Sequence, residues 1–369
     1  MRTLTTGGVT LTYPDLWAFC FSPCYVEITG ATGYAKAIVS VYNGNGAYNV
    51  ETALYGGKAK ILISSYLQLL ASAGLSGNRC VDAAFYVSLN DGTDTTKVFD
   101  EQATGGFFIM WGALRPVQRI GFVGAYTYDP VALAFVRRVR WFKNFPFRVS
   151  IFGAANTPFR VRYDRNLYGT THSFGGCNGY LDIDPNTYAS AAQRMAVIRT
   201  EGAGNGGGTF DDTFDYTFEA LASDNTITRL IVDNACKGYY LRWIDYLGQL
   251  QYYLFDEGTR ATKTENGDTI ETPIVYGGVN YGGGRRVTSK ECQRSAHVAA
   301  VGLNQDECDY VSTIAQAVII DLYRGKDADD NEIWLPVTIE AGQFSASERV
   351  GLQDYEITIN LPTEASQRL

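Results

Sequence analysis

Histidine is almost missing from this chain: only His172 and His297 occur in 369 residues. Neither has a second ligand type at helical spacing, so a histidine-based metal helix is not expected, and satisfied or solvent-facing side chains are the plain reading of both. An excess of base is missing too. With 31 Lys and Arg against 39 Asp and Glu, the net charge of −8 disfavours a sequence-independent grip on a phosphate backbone. No run approaches the roughly 18 apolar residues of a membrane helix, and the opening MRTLTTGGVTLTYPDLWAFCF lacks the apolar core of a secretory signal. First folding in the cytoplasm and no membrane partner are therefore expected. There is no G-x-S-x-G elbow and no phosphate-binding P-loop. Seven cysteines, an odd number widely spread, fit free thiols better than a disulfide framework.

What is abundant is aromatic and small: 25 Tyr, 19 Phe and 39 Gly. Branched and aromatic side chains suit a pleated, half-buried surface and glycine suits turns, so the expected fold is mainly β. The length exceeds one ordinary core. Two β-sandwich or barrel-like units, each with a short helix, are expected, over 1–153 and 154–369, with the boundary at the turn-forming GAANTPF. Strands are read at LWAFCF, YVEITG, KAIVSVY, AAFYVSL, GFFIMW, RIGFVGAY, FVRRVRWF and FRVSIF, and later at RVRYDRN, GYLDID, FDYTFEAL and TRLIVDNA. SSYLQLLASAG reads as a helix capped by Ser64 or Ser65, with Leu67, Leu70 and Ala71 on one face. Asn304 followed by Glu307 predicts a capping box and a second helix through CDYVSTIAQA.

The most aromatic stretch is YYLRWIDYLGQLQYYLF, residues 239–255. Folded as a hairpin about Asp245–Gly248, it gathers Tyr239, Leu241, Trp243, Leu250, Tyr252 and Leu254 on one wholly apolar side. That predicts a core position for Trp243 rather than a sugar-stacking platform. VRWFKNFPFRVSIF (139–152) echoes LRWIDYLGQLQYYLF (241–255), which raises a duplicated hairpin unit with Arg140 and Arg242 at equivalent places.

Three stretches invite chemistry. GAGNGGG (202–208) contains G-x-G-x-x-G, but strand-like residues follow it, so a flexible loop is the better reading. DADDNE (327–332) begins like a calcium loop with Asp327, Asp329 and Asn331, yet lacks the glycine and has Thr338 where the bidentate glutamate belongs, so an acidic turn is expected. FVRRVRWFK (135–143) interleaves Arg137, Arg138, Arg140 and Lys143 with apolar residues. Strand alternation puts Arg138 and Arg140 on one face and Arg137 and Lys143 on the other. The divided cluster suits solvated edges or a subunit interface more than a nucleic acid. No pair of carboxylates in DDTFD or DIDP can be given acid and base roles from spacing alone.

FCFSPCYVEITG, VRRVRWFKNFPFRVSIF, YYLRWIDYLGQLQYYLF and WLPVTIEAG with YEITINLP resemble motifs of uncharacterised proteins encoded among the tail and baseplate genes of tailed bacteriophages and of prophages from gut anaerobes. The resemblance implies a distal-tail-like virion structural protein, not an enzyme, assembled in the host cytoplasm from copies of itself and other virion proteins. It implies no cofactor and supplies no active-site residues. Two other readings stay open: a receptor- or glycan-binding tail protein, and a polysaccharide depolymerase using paired carboxylates.

Overall fold

The computed structural model describes residues 1–44, 46–72, 79–100, 106–114, 127–129, 134–153, 156, 158–162, 170–173, 179–188, 216–220, 226–276, 278–340 and 351–362. The fold is mainly β, as the composition predicts. It divides into two compact units: unit 1 comprises 1–139, 147–232 and 244–251, and unit 2 comprises 140–146, 233–243 and 252–369. The boundary read from GAANTPF falls inside the second segment of unit 1. The chain changes unit several times, and a linear boundary read from turn residues has no means of registering that.

Unit 1 opens with a four-stranded antiparallel sheet ordered Arg2–Thr6, Val9–Tyr13, Tyr25–Thr29, Ala59–Leu62. The first pair closes through Gly7 and Gly8, both at positive φ, which the tight two-residue turn requires. A second sheet runs Trp17–Phe19, Phe107–Met110, Cys80–Asn90, Lys36–Asn43, Gly46–Ala53, with Thr95–Asp100 also on Cys80–Asn90. Alternation along Val9–Tyr13 and Tyr25–Thr29 turns Leu11, Val26 and Ile28 into a core shared with Val39, Val41, Phe85, Val87 and Leu89 of the second sheet. Helix α1 (Ser64–Ser72) lays Leu67, Leu70 and Ala71 into the same core, the face its spacing predicts. Ser64 is not its cap. Its hydroxyl donates to the Ser22 carbonyl and accepts from the Cys24 N–H, each at 2.8 Å, while the Ile63 carbonyl takes the first helical N–H groups.

The remainder of unit 1 builds on a sheet ordered Thr127–Asp129, Ala134–Phe142, Thr226–Asp233, Tyr216–Ala220, Pro158–Arg162, Thr170–Ser173, and on the pair Val149–Gly153 with Gly179–Ile183. Here the duplicated-hairpin expectation is corrected. Ala134–Phe142 and Val149–Gly153 lie in different sheets, so 139–152 is not a hairpin. Pro146, which has no N–H to offer a ladder, stands in the connection between them. RIGFVGAY lies outside the described residues, as does GAGNGGG. Two-residue-spaced patterning alone explains the echo with 241–255.

Unit 2 contains a seven-stranded sheet in the order Glu332–Pro336, Ile320–Lys326, Tyr239–Ile244, Leu250–Asn266, Lys290–Leu303, Gln353–Asn360, Thr338–Ile339. The reversal at Asp245–Gly248, a stretch that belongs to unit 1, is where the sequence puts it: Asp245 N–H donates to the Gln249 carbonyl at 2.9 Å, and Gly248 N–H to the Asp245 carbonyl at 2.9 Å. The predicted grouping of side chains is corrected: Tyr252 stacks on Tyr240 with ring centroids 5.9 Å apart rather than sharing the side of Trp243, because the Asp245–Gln249 pairing shifts the register by one residue. Trp243 is 1% exposed and its indole donates to Thr313 Oγ1 at 2.9 Å. It is core, as predicted. Its ring lies 5.9 Å from that of Tyr310. Tyr240, Tyr252, Tyr323 and Trp334 form a separate aromatic cluster of the sheet, joined by Phe142 and Phe145.

After a short 4-residue helix α2 (Pro185–Tyr188) in unit 1, helix α3 (Gln305–Val311) belongs to unit 2. It begins with the predicted capping box: Asn304 Oδ1 accepts from Glu307 N–H at 2.9 Å, and Glu307 Oε2 accepts from Asn304 N–H at 3.1 Å. A 3-10 turn, Ser312–Gln316, continues it. The Tyr310 hydroxyl donates to the Tyr252 carbonyl at 3.0 Å and accepts the Tyr252 N–H at 3.1 Å, taking the place of a neighbouring strand at that residue. No helix among the described residues is long and apolar enough to cross a membrane.

Candidate functional site

Two features of the described residues stand out from ordinary packing: a buried polar network in unit 1 and a bare β-ribbon in unit 2.

The network starts at Arg79, 7% exposed. Its guanidinium donates to both oxygens of Asp182 at 2.7 Å, to Ser150 Oγ at 3.1 Å, and to the Gly248 carbonyl. Ser150 in turn donates to Asp182 Oδ1 at 2.6 Å and accepts from Leu250 N–H at 3.0 Å. Arg137, 6% exposed, donates to Thr228 Oγ1 at 2.8 Å, Gln249 Oε1 at 2.9 Å and the Ser150 carbonyl at 3.1 Å. Burial raises the Asp182 carboxyl, but the paired hydrogen bonds and charge of Arg79 outweigh it and hold the group below its usual range. A bidentate pair of this kind is costly to break from one side, about 3–5 kcal/mol, because the remaining charge is left in the interior.

Asp245 is the other buried acid. Its Oδ1 accepts the N–H groups of Leu247 and Gln249, both at 2.9 Å, and its Oδ2 accepts Gln251 Nε2 at 2.6 Å. Burial pushes its carboxyl up to about 6 against these hydrogen bonds and the nearby Arg137. Every one of these groups is spent on fixing strands and the 245–248 turn. The network is a lock on unit 1.

The four basic residues singled out in the sequence do not form one patch. Arg137 is inside the network, and Arg138 is exposed. Both belong to unit 1, whereas Arg140 and Lys143 belong to unit 2. Arg140 donates to Glu307 Oε1 at 2.6 Å and lies 3.5 Å from Asp233. Lys143 is exposed, but the strand ends at Phe142, so the alternation that would have put it on the face of Arg137 does not reach it. Arg138 and Arg140 alternate with buried Val139 and Trp141, as predicted, but only Arg138 is exposed; Arg140 is half-buried.

His297 is exposed on its strand, with its Nε2 3.3 Å from Glu356 Oε2. The side chain of His172 lies outside the described residues. Asp327 accepts the N–H groups of Asp329 and Asn331 and the Asn331 amide at 2.8–3.1 Å, so it organises the acidic turn that the sequence predicts. Cys20, Cys24, Cys80, Cys236, Cys292 and Cys308 are free thiols, and burial pushes Cys20 and Cys24 up to about 11.

The ribbon was missed by the strand pattern. From Thr259 opposite His297, the ladder runs through Asn266 opposite Lys290. Gly267 N–H to Ser289 O at 2.8 Å and Thr288 N–H to Asp268 O at 2.7 Å carry it across the join. It continues from Thr269 opposite Val287 to Tyr276 opposite Val279, with one irregularity after Pro273. Gln353–Asn360 supports the base only as far as Ser295, and Leu361 N–H reaches the Arg294 carbonyl at 2.9 Å. Beyond that point the two strands have only each other among the described residues. At about 3.4 Å per residue, the stretch from Thr262 to Tyr276 measures roughly 50 Å along the strand. Every residue from Asp256 to Glu271 is exposed, Ile270 at 43%, and Val279 near the tip is 54% exposed. A signal was present in the sequence: YGGV (276–279) has the Gly-Gly pair, flanked by strand formers, that marks a two-residue hairpin turn.

No protein-family model matches the chain, and no curated protein matches it either, so what it does must be argued from this geometry.

Proposed function

We propose that this chain is a virion structural protein of a tailed phage, a tail, baseplate or hub component, and that it works by assembling with copies of itself and with other virion proteins. The observation that carries the assembly reading is the ribbon. A two-stranded hairpin is marginal in water on its own, and each of its edges offers a row of unpaired N–H and C=O groups. Between Thr262 and Arg294 the ribbon has no sheet beyond its own two strands and no buried side chain among those described. Packing among the described residues does not account for so long an exposed ladder. Contact with another subunit does. The phage setting comes from the resemblance of the aromatic and turn motifs described above.

The glycan-binding reading loses its leading residue, since Trp243 is buried. The indole of Trp334, the half-buried member of the aromatic cluster around Tyr240, has the Arg242 guanidinium 4.1 Å over its ring.

The test is a comparison of the full chain with a variant in which 262–294 is replaced by Asn-Gly, joining the paired residues Ala261 and Ser295 by a two-residue turn. Sedimentation velocity is expected to show a defined oligomer for the full chain and a folded monomer for the shortened one. A full chain that stays monomeric at high concentration, or a shortened chain that assembles equally well, overturns the proposal.

A further inference from the structure

The two strands of the ribbon carry opposite charge. The outgoing strand, Thr262–Tyr276, has Glu265, Asp268 and Glu271 against Lys263 alone. The returning strand, Val279–Arg294, has Arg285, Arg286, Lys290 and Arg294 against Glu291 alone. One edge of the ribbon is therefore acidic and the other basic. The side chains of Lys263, Glu265, Asp268, Glu271, Arg285, Arg286, Lys290, Glu291 and Arg294 are all exposed. Within the ribbon the asymmetry is already used once: Arg285 Nε lies 3.4 Å from Glu271 Oε1 across the ladder.

From this, and resting on the assembly reading above, we infer that the occupant of each ribbon edge is the ribbon of another copy of this chain, with the acidic outgoing strand beside the basic returning strand of its neighbour. The argument is one of geometry and charge together. When two ribbons lie side by side with their tips in the same direction, the outgoing strand of one runs antiparallel to the returning strand of the next. The ladder then continues from copy to copy without a change of strand sense. Directly opposed side chains on adjacent strands lie about 4.5–5.5 Å apart, so opposite charges attract and like charges repel across the new pair. Joining two returning strands would set Arg286, Lys290 and Arg294, which share one face of the ribbon, against their own copies. That arrangement is disfavoured. Each ribbon consequently uses two different edges, which is a heterologous contact, and a heterologous contact that closes makes a ring rather than a two-fold dimer. The alternative is that the charges only keep a bare edge from sticking to anything.

Two charge variants of the full chain separate these. In the first, Arg285→Glu, Arg286→Glu and Lys290→Glu make both edges acidic; in the second, Glu265→Lys, Asp268→Lys and Glu271→Lys make both edges basic. Each variant alone is expected to associate roughly tenfold or more weakly than the parent chain at low salt. An equimolar mixture is expected to recover assembly, as oligomers in which the two alternate, read by native mass spectrometry of differently tagged chains. A chain carrying all six changes has its edges exchanged and is expected to assemble alone, which guards against loss of assembly through misfolding. Association of either single set at parental strength overturns edge pairing, as does a mixture or a six-fold variant that stays monomeric. Loss of assembly on removing 262–294, combined with indifference to every charge change, sinks this inference while leaving the assembly reading intact.

Discussion

At the residue scale, the informative position is Asp245, an acid placed in the interior of a turn. Its carboxyl titrates near 6 because burial opposes the charge more strongly than Gln251, the Gln249 and Leu247 amides and Arg137 favour it. In the unfolded chain the same group titrates near 3.8. Below about pH 4 both states hold the proton, and above about pH 6 neither does. Between those limits the folded state binds the proton more tightly, so this group's contribution to stability declines as pH rises through the window, by roughly 3 kcal/mol in all. Asp182 runs the other way: its lowered carboxyl contributes above the unfolded value and is lost as pH falls. Comparison with Asp245→Asn isolates the first effect. Denaturant unfolding at pH 4.5 and pH 7.5 is expected to show the parent gaining relative to the variant at the lower pH. A stability difference that is the same at both values would show that Asp245 is not the titrating group.

At the scale of the element, helix α3 shows which kinds of local order are written in sequence. Its start follows from two residues three apart, each supplying the other's missing partner, and Asn304→Ala is expected to cost about 1 kcal/mol in chemical unfolding. The reversal at 245–248 and the burial of Trp243 were legible, but the register was not: Tyr252 stacks on Tyr240, and Tyr240, Tyr253 and Gln251 on the supposedly wetter side are buried as well, so the contrast between faces that would fix a register is absent. Helix α1 was legible in its buried face but not at its first residue, because Ser64 spends its hydroxyl on residues some forty positions earlier in the chain. The Arg79–Asp182 lock joins residues 103 apart and leaves no trace in spacing. The ribbon escaped for another reason. Hydrophobic period records burial within one chain, and Thr262 to Glu271 bury nothing there. The Gly-Gly tip was its one local mark.

For the whole molecule, the contrast between a dense core and a bare ribbon predicts an uneven response to assembly. Stability is not uniform across a structure, and a segment with few buried contacts opens at little cost. Amide exchange of the full chain across a concentration series is expected to leave Ala37–Val41, at the centre of unit 1, slow throughout. Residues 262–294 should exchange fast at dilution and slow as concentration rises, because anything that binds the folded ribbon holds it closed. Protection of the ribbon that does not depend on concentration would show that it is held by its own chain.

The Tyr310 hydroxyl has a consequence for how unit 2 comes apart. One oxygen bridges helix α3 and the main chain of Tyr252, meeting both its donor and its acceptor. Fraying of that helix and exposure of that peptide are thus a single event, and the amide of Tyr252, deep in a strand, becomes a reporter for a helix fifty-odd residues further along the chain.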